Sequence, residues 1–161
     1  MGVDHPEPSS AERAAVDEPS PEHQRPDGVD DSTVAAVGKV TEALETIERA
    51  RGHLYEFHQL IGSGDAALSE GVAALRECGQ GELADTIERE VVGRNVIRGR
   101  WTFQIVEDFD DGYWSCFREH ERRARELLEG RRHVFEAEMK ERERSTDQRG
   151  LPLRGHEATP D

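Results

Sequence analysis

The stretch RWTFQIVEDFDDGYWSCF, residues 100–117, contains both tryptophans of the chain, three of its five phenylalanines and one of its two tyrosines. Aromatic side chains bury the largest areas, so this stretch is the strongest candidate for the centre of a core. Apolar residues continue beyond it at steps of three and four, the spacing of one helix face. The pattern predicts a long helix over about 101–144, with a kink or a break at Gly130.

A second stripe of apolar residues precedes this stretch at heptad spacing, which is typical of a coiled coil. It comprises Val37, Val40, Leu44, Ile47, Leu54 and Ile61. Ser32 or Thr33 can cap its helix, and Gly62 can end it, so the sequence predicts a helix over about 33–61. Two shorter stripes predict helices over about 65–78 and 83–92, which form a hairpin because only a short glycine-flanked connection separates them. The predicted fold is therefore all-α: a helical bundle of two long helices plus a short helical hairpin.

The two ends of the chain differ in composition from the middle. All seven prolines lie within residues 1–31 or after residue 150, whereas all nine aromatic residues lie between these segments. Residues 1–31 also carry nine acidic residues against two arginines. Such segments bury too little apolar surface to offset the entropy lost on ordering. We expect a disordered acidic tail over 1–31, a helical domain over 32–145 and a second disordered tail over 146–161.

The overall charge argues against one class of partner. The chain carries 35 acidic residues against 21 basic ones, a formal net charge of −14. Non-specific binding of nucleic acid requires a basic face, so we expect no nucleic-acid partner. No apolar run is visible that could serve as a signal peptide or cross a membrane. The sequence therefore predicts a cytoplasmic protein with no membrane partner.

Polar residues interrupt the apolar stripes and are candidates for ligand binding. Arg51, His58 and His120 occupy stripe positions, although a histidine at such a position is more often a hydrogen-bonded core residue. Arg94, Arg98 and Arg100 precede the aromatic helix and could hold a small anion there. The alternative is that these arginines pair with nearby carboxylates. Those carboxylates belong to Glu107, Asp108, Asp110 and Asp111.

The direction of the two long helices decides which of these residues meet. A helical hairpin between them makes the long helices antiparallel, and the rise of about 1.5 Å per residue then sets the register. Arg51 is expected near Asp111 or Asp108, and His58 near Gln104. A buried arginine needs such a carboxylate. If the intervening helices instead run straight on, the long helices are parallel and His58 moves towards His120.

Two histidine–glutamate pairs are candidates for a metal-binding site. His53 with Glu56, and His133 with Glu136, each have the spacing His-x-x-Glu, which puts both side chains on one side of a helix. Di-iron bundles use the opposite order, Glu-x-x-His. Both pairs also lie beside the apolar stripes, so ordinary surface pairs are favoured. No catalytic motif is present, and the sequence identifies no cofactor.

The sequence supports two hypotheses of function. The first is a non-enzymatic interaction or self-associating protein, and the alternative is a metal- or small-anion-binding helical bundle. The predicted last helix is longer than the helices that could cover it, which would leave Val134, Phe135 and Met139 exposed. Bare apolar patches of this kind usually mark contacts, so we expect a homo-oligomer through residues 127–139.

Overall fold

A computed structural model describes residues 17–148 and 150–158, and within these ranges the protein is all-α, as predicted. Most of the predicted acidic tail, residues 1–16, lies outside the described residues, as do Arg149 and residues 159–161. The helices are α1 (Asp31–Glu77), α2 (Gly81–Glu90), α3 (Thr102–Phe109), α4 (Ser115–Glu126) and α5 (Val134–Glu143). One π-helical turn, Asp110–Trp114, joins α3 to α4.

Helix α1 is longer than the sequence predicts. The expected end at Gly62 and the separate helix over 65–78 are wrong, because α1 continues to Glu77. Ser63 and Ser69 are accommodated inside the helix, since each hydroxyl donates to the carbonyl oxygen four residues earlier, at 3.1 Å. Asp65, at the predicted start of that separate helix, lies inside α1, and its side chain accepts the backbone N–H of Gly93 at 2.8 Å. The helix therefore continues through glycine and polar residues that locally favour a helix end.

The second long helix is divided into several pieces. Helix α3, the π turn and α4 cover Thr102–Glu126, and α5 begins only at Val134. Between α4 and α5, Glu129, Gly130 and His133 all have positive φ angles, a conformation that right-handed helices do not contain. The break predicted as one alternative at Gly130 is confirmed.

The chain forms two compact units. The terminal unit comprises Met1–Glu42 and His120–Asp161, and the middle unit comprises Ala43–Glu119. Helices α1 and α4 contribute residues to both. No helix among the described residues is both long enough and apolar enough to cross a membrane.

The core of the terminal unit joins the start of α1 to the break before α5. Its buried side chains are Val34, Val37, Leu128 and Val134, and Val29 and Phe135 pack against them. The expectation that Val134 and Phe135 are exposed is wrong. Val134 is only 1% exposed, and Phe135 lies over Gly38, where the missing side chain leaves room for its ring. Met139 remains partly exposed.

The structure differs from the predicted tails where it describes them. A short 3₁₀ turn, Pro21–His23, precedes Arg25, whose Nε donates to Glu138 of α5 at 2.6 Å. Asp17 pairs with Arg144 and accepts the backbone N–H of Ala158 at 2.9 Å. Each contact joins residues more than 100 positions apart in the chain, so local composition could not indicate it. Residues 17–31 thus pack on α5 and the C-terminal segment.

The middle unit is an antiparallel arrangement along α1. Helix α2 runs back beside the end of α1, with Arg76 paired to both Asp85 and Glu88. Asp65 then meets Gly93, and α3 continues in the same direction. The buried apolar residues of this unit are few: Val72, Ala84 and Val106.

Candidate functional site

The best-defined polar cluster of the middle unit centres on Arg51. Its Nε and one terminal nitrogen donate to the two carboxylate oxygens of Asp110 at 2.7 and 2.8 Å, a bidentate geometry. Both side chains are mostly buried. The predicted carboxylate partner of Arg51 is therefore present in the antiparallel register, one residue before the expected Asp111.

The π-helical turn presents Trp114 to the same arginine. The Arg51 guanidinium carbon lies 4.2 Å from the centre of the Trp114 ring, and that of Arg118 lies 4.6 Å from it. The Tyr55 hydroxyl adds a long hydrogen bond to Asp110, at 3.3 Å. The indole nitrogen of Trp114 is buried without a hydrogen-bond partner among the described residues.

Charge pairing sets the protonation of this cluster. The hydrogen bonds from Arg51 hold the pKa of Asp110 below its ordinary value, and Asp110 in turn raises the pKa of Arg51. Asp110 is thus ionised at neutral pH and neutralises Arg51. The cluster joins α1 to the π turn, and its arginine charge is already matched by a carboxylate.

His58 and Gln104, expected to be neighbours, have separate partners. His58 Nδ1 lies 2.7 Å from the hydroxyl oxygen of Thr102, at the first residue of α3. The Gln104 side chain instead accepts the backbone N–H of Trp101 at 3.0 Å and so caps α3. His58 thus meets α3 two residues before the expected Gln104, and the two side chains stabilise a helix start and do not converge on a pocket.

The loop arginines do not converge either. Arg100 forms an ion pair with Asp108, one of the local carboxylates that the sequence offered as alternative partners. Arg94 donates to the carbonyl oxygen of Glu90 at 3.3 Å. Arg98 is exposed at the tip of the loop.

The remaining candidates lie on the surface of their units. His120 is exposed on α4. His53 Nδ1 lies 3.5 Å from Glu56 Oε2, and both side chains are largely exposed. His133 precedes the first residue of α5, so it does not share a helix turn with Glu136 as the spacing suggested. Among the described residues, no three His, Cys, Asp or Glu side chains form a group that could hold a metal ion.

The loop before α3 carries an apolar surface that the sequence patterns did not indicate. A tight turn closes it, in which Arg100 donates its backbone N–H to the carbonyl oxygen of Ile97 at 3.0 Å and Gly99 has a positive φ. Trp101 and Phe103 stack edge to face with their ring centres 5.3 Å apart, and Trp101 is 60% exposed. We call Val96, Ile97, Trp101 and Phe103 the apolar loop cluster; all four side chains are exposed.

The sequence contained a signal for this cluster. Val96 and Ile97 sit between arginines in a glycine-bordered loop, where apolar residues have no core to enter. Because Trp101 was expected in the core, an exposed apolar surface at this loop was not predicted.

The comparisons with known proteins add no relationship. No protein-family model, no curated protein and no solved structure matches this chain.

Proposed function

We propose that this is a non-enzymatic interaction protein that self-associates through the apolar loop cluster. The observation that carries the proposal is the exposure of Trp101, which stacks on Phe103 and follows the exposed Val96 and Ile97 of the same loop. Single exposed apolar residues are ordinary, but a group of exposed apolar residues that includes a tryptophan is typical of a contact surface. Tryptophan is also among the residues enriched at the positions that dominate binding energy in interfaces.

The poor core of the middle unit supports the same proposal. Across its 77 residues, Ala43–Glu119, only three apolar residues are buried. Large apolar residues of this unit that could have filled a core remain exposed instead. A second copy that covers the loop cluster would remove part of this surface from water, which is the main driving force of association.

The interface expected from the sequence, residues 127–139, has less support. Its premise was the exposure of Val134 and Phe135, and both now pack within the terminal unit. Leu127 and Met139 are exposed there, but they do not form an aromatic centre. We therefore move the proposed contact from residues 127–139 to the loop cluster.

The alternative, a bundle that binds a small anion or a metal, has weaker support. An anion site needs unneutralised cations, yet Arg51 is matched by Asp110 and Arg100 by Asp108. The predicted ligand residues are distributed over separate local contacts.

Light scattering on the full chain tests self-association. We expect wild-type protein to approach the mass of a dimer as its concentration rises, and Trp101→Ala to remain monomeric. Trp101 packs mainly on Phe103, so its loss should leave the fold intact, which circular dichroism checks. Tyr113→Ala is the matched control, since Tyr113 is a similarly exposed aromatic outside the cluster. A wild-type protein that stays monomeric at high concentration would refute the proposal.

A further inference from the structure

The chain changes from basic to acidic at the apolar loop cluster. Residues 91–106, which contain the cluster, hold three arginines and no acidic residue. Residues 107–111, which follow directly, hold four acidic residues and no basic one. The basic segment covers the loop and the first turn of α3, and the acidic segment begins in the second turn. The cluster therefore adjoins a basic and an acidic part of the same unit.

Two of these charges have no ion-pair partner in the part of the chain that the structure describes. Arg100 pairs with Asp108, which uses one carboxylate of the acidic segment. Arg98 and Glu107 are both exposed, and neither forms an ion pair with a described residue. Water solvates these two charges in a single copy of the chain, so both are available to pair with another surface.

Both charges border the exposed aromatic residues of the cluster. Glu107 follows Phe103 by four residues on α3, so the two side chains share one face of the helix. Trp101 stacks on Phe103 with ring centres 5.3 Å apart, and Arg98 occupies the tip of the tight turn that leads into Trp101. The aromatic pair is thus preceded by an unpaired cation in the loop and followed by an unpaired anion on α3.

Symmetry decides how these charges meet when two copies associate. In a closed two-fold dimer both copies use the same surface, so a contact from residue i to residue j is repeated from j to i. A two-fold axis parallel to the line from Arg98 to Glu107 sets each charge against its own equivalent. An axis perpendicular to that line sets Arg98 of one copy against Glu107 of the other. Like charges in contact destabilise an interface, so the second orientation is favoured.

We propose that Arg98 of each copy pairs with Glu107 of the other in the dimer, an inference that rests on self-association through the apolar loop cluster. The two clusters form the centre of the contact, and the two symmetric ion pairs lie at its rim. Rim charges determine which partner and which orientation are accepted more than they add affinity. Arg98 and Glu107 are then the residues that select a second copy of the chain as the partner.

The net charge of the chain makes this pairing distinguishable from general repulsion. Each copy carries a formal charge of −14, so two copies repel one another at long range. If this repulsion alone controlled association, Glu107→Arg would strengthen it and Arg98→Glu would weaken it. The proposed pairing predicts that both substitutions weaken association, because each sets two like charges together in both halves of the dimer.

Sedimentation equilibrium of the full chain measures the dimer dissociation constant of these variants. Arg98→Glu and Glu107→Arg should each raise it by about tenfold or more. The double variant Arg98→Glu with Glu107→Arg restores opposite charges in reversed order, and its dissociation constant should return to within about threefold of wild type. Glu70→Arg is the matched control, since Glu70 is exposed on α1 and has no ion-pair partner among the described residues. This control should not weaken association.

A mixture of the two single variants gives a second, independent test. A mixed dimer of Arg98→Glu with Glu107→Arg contains one native pair and one reversed pair, so both contacts join opposite charges. At a concentration at which each variant alone is monomeric, the mixture should therefore form dimers. A mixture that stays monomeric where wild type is dimeric would overturn the pairing.

The outcomes separate this pairing from self-association itself. If wild type dimerises and Trp101→Ala does not, but both single charge variants associate like wild type, the pairing is wrong and the loop cluster remains the contact. A wild-type protein that stays monomeric at high concentration refutes both. Circular dichroism should show unchanged folding, because Arg98 and Glu107 are exposed. If a reversal does unfold the protein, Arg98→Gln and Glu107→Gln should still weaken association several-fold, and unchanged association by both would contradict the pairing.

Discussion

Replacement of Gly38 by alanine tests the packing of the terminal unit most sharply. A Cβ atom at this position would lie 3.0 Å from Phe135 Cβ and 3.1 Å from Phe135 Cγ, closer than such atoms normally approach. Phe135 would have to move away from the core of Val34, Val37 and Val134. Forced shifts of this kind cost about 1–3 kcal/mol of folding stability.

The opposing effect at Gly38 is helix propensity. Alanine is favoured over glycine inside a helix by about 1 kcal/mol. The net result for Gly38→Ala is therefore a change between zero and a destabilisation of about 2 kcal/mol. Gly52 in the same helix is the matched control, since a Cβ atom there meets nothing within 4 Å. Gly52→Ala should stabilise the protein by about 1 kcal/mol.

Urea unfolding followed by circular dichroism measures both variants, because the free energy of unfolding extrapolates linearly to zero denaturant. The two alanine variants should differ by about 1–3 kcal/mol, with Gly52→Ala the more stable. Equal stabilisation by both substitutions would show that Phe135 does not lie over Gly38.

Three further outcomes follow from the same contacts. Val134→Ala should lower the free energy of unfolding by about 2–3 kcal/mol in urea titrations, because two buried methyl groups are lost and a cavity remains. Because the pKa of Asp110 is lowered in the folded protein, ionised Asp110 stabilises the fold at pH values above its ordinary pKa of 3.8. This contribution is lost as the pH falls through the lowered pKa. In Arg51→Leu, the free energy of unfolding measured as a function of pH should therefore fall less in acid. Deletion of residues 1–25 should lower the thermal midpoint in calorimetry, since Arg25 and Asp17 then no longer hold α5 and Arg144.

The sequence predicted those features that depend on helical periodicity. The stripes of α1 and α3 fixed the side of each helix that packs, and the constant rise then predicted a carboxylate opposite Arg51 to within one residue. Glu121 and Arg125, four residues apart on α4 and so neighbours on its surface, form an ion pair at 2.7 Å that is largely buried. Periodic patterns are reliable here because they average over many residues.

Features that depend on distant contacts were not predictable in this way. Gly62 and Asp65 resemble a helix end, but the cooperative α1 continues because Asp65 finds its donor at Gly93. Phe135 was expected to be exposed, since no local pattern shows that Gly38 leaves space for it. Trp101 was expected in the core, yet it follows a tight turn that directs it outward. Each difference arises from an interaction between residues far apart in the chain.

Acrylamide quenching of tryptophan fluorescence tests the proposed self-association most directly. The chain has two tryptophans: Trp101 is exposed in the loop cluster, and Trp114 is partly buried between Arg51 and Arg118. If the loop cluster is the contact, the Trp101 side chain should become less accessible to acrylamide as protein concentration rises. Quenching of tryptophan fluorescence should then decrease in step with the increase in mass. A dimer whose tryptophan emission is quenched as strongly as that of the monomer would contradict the account.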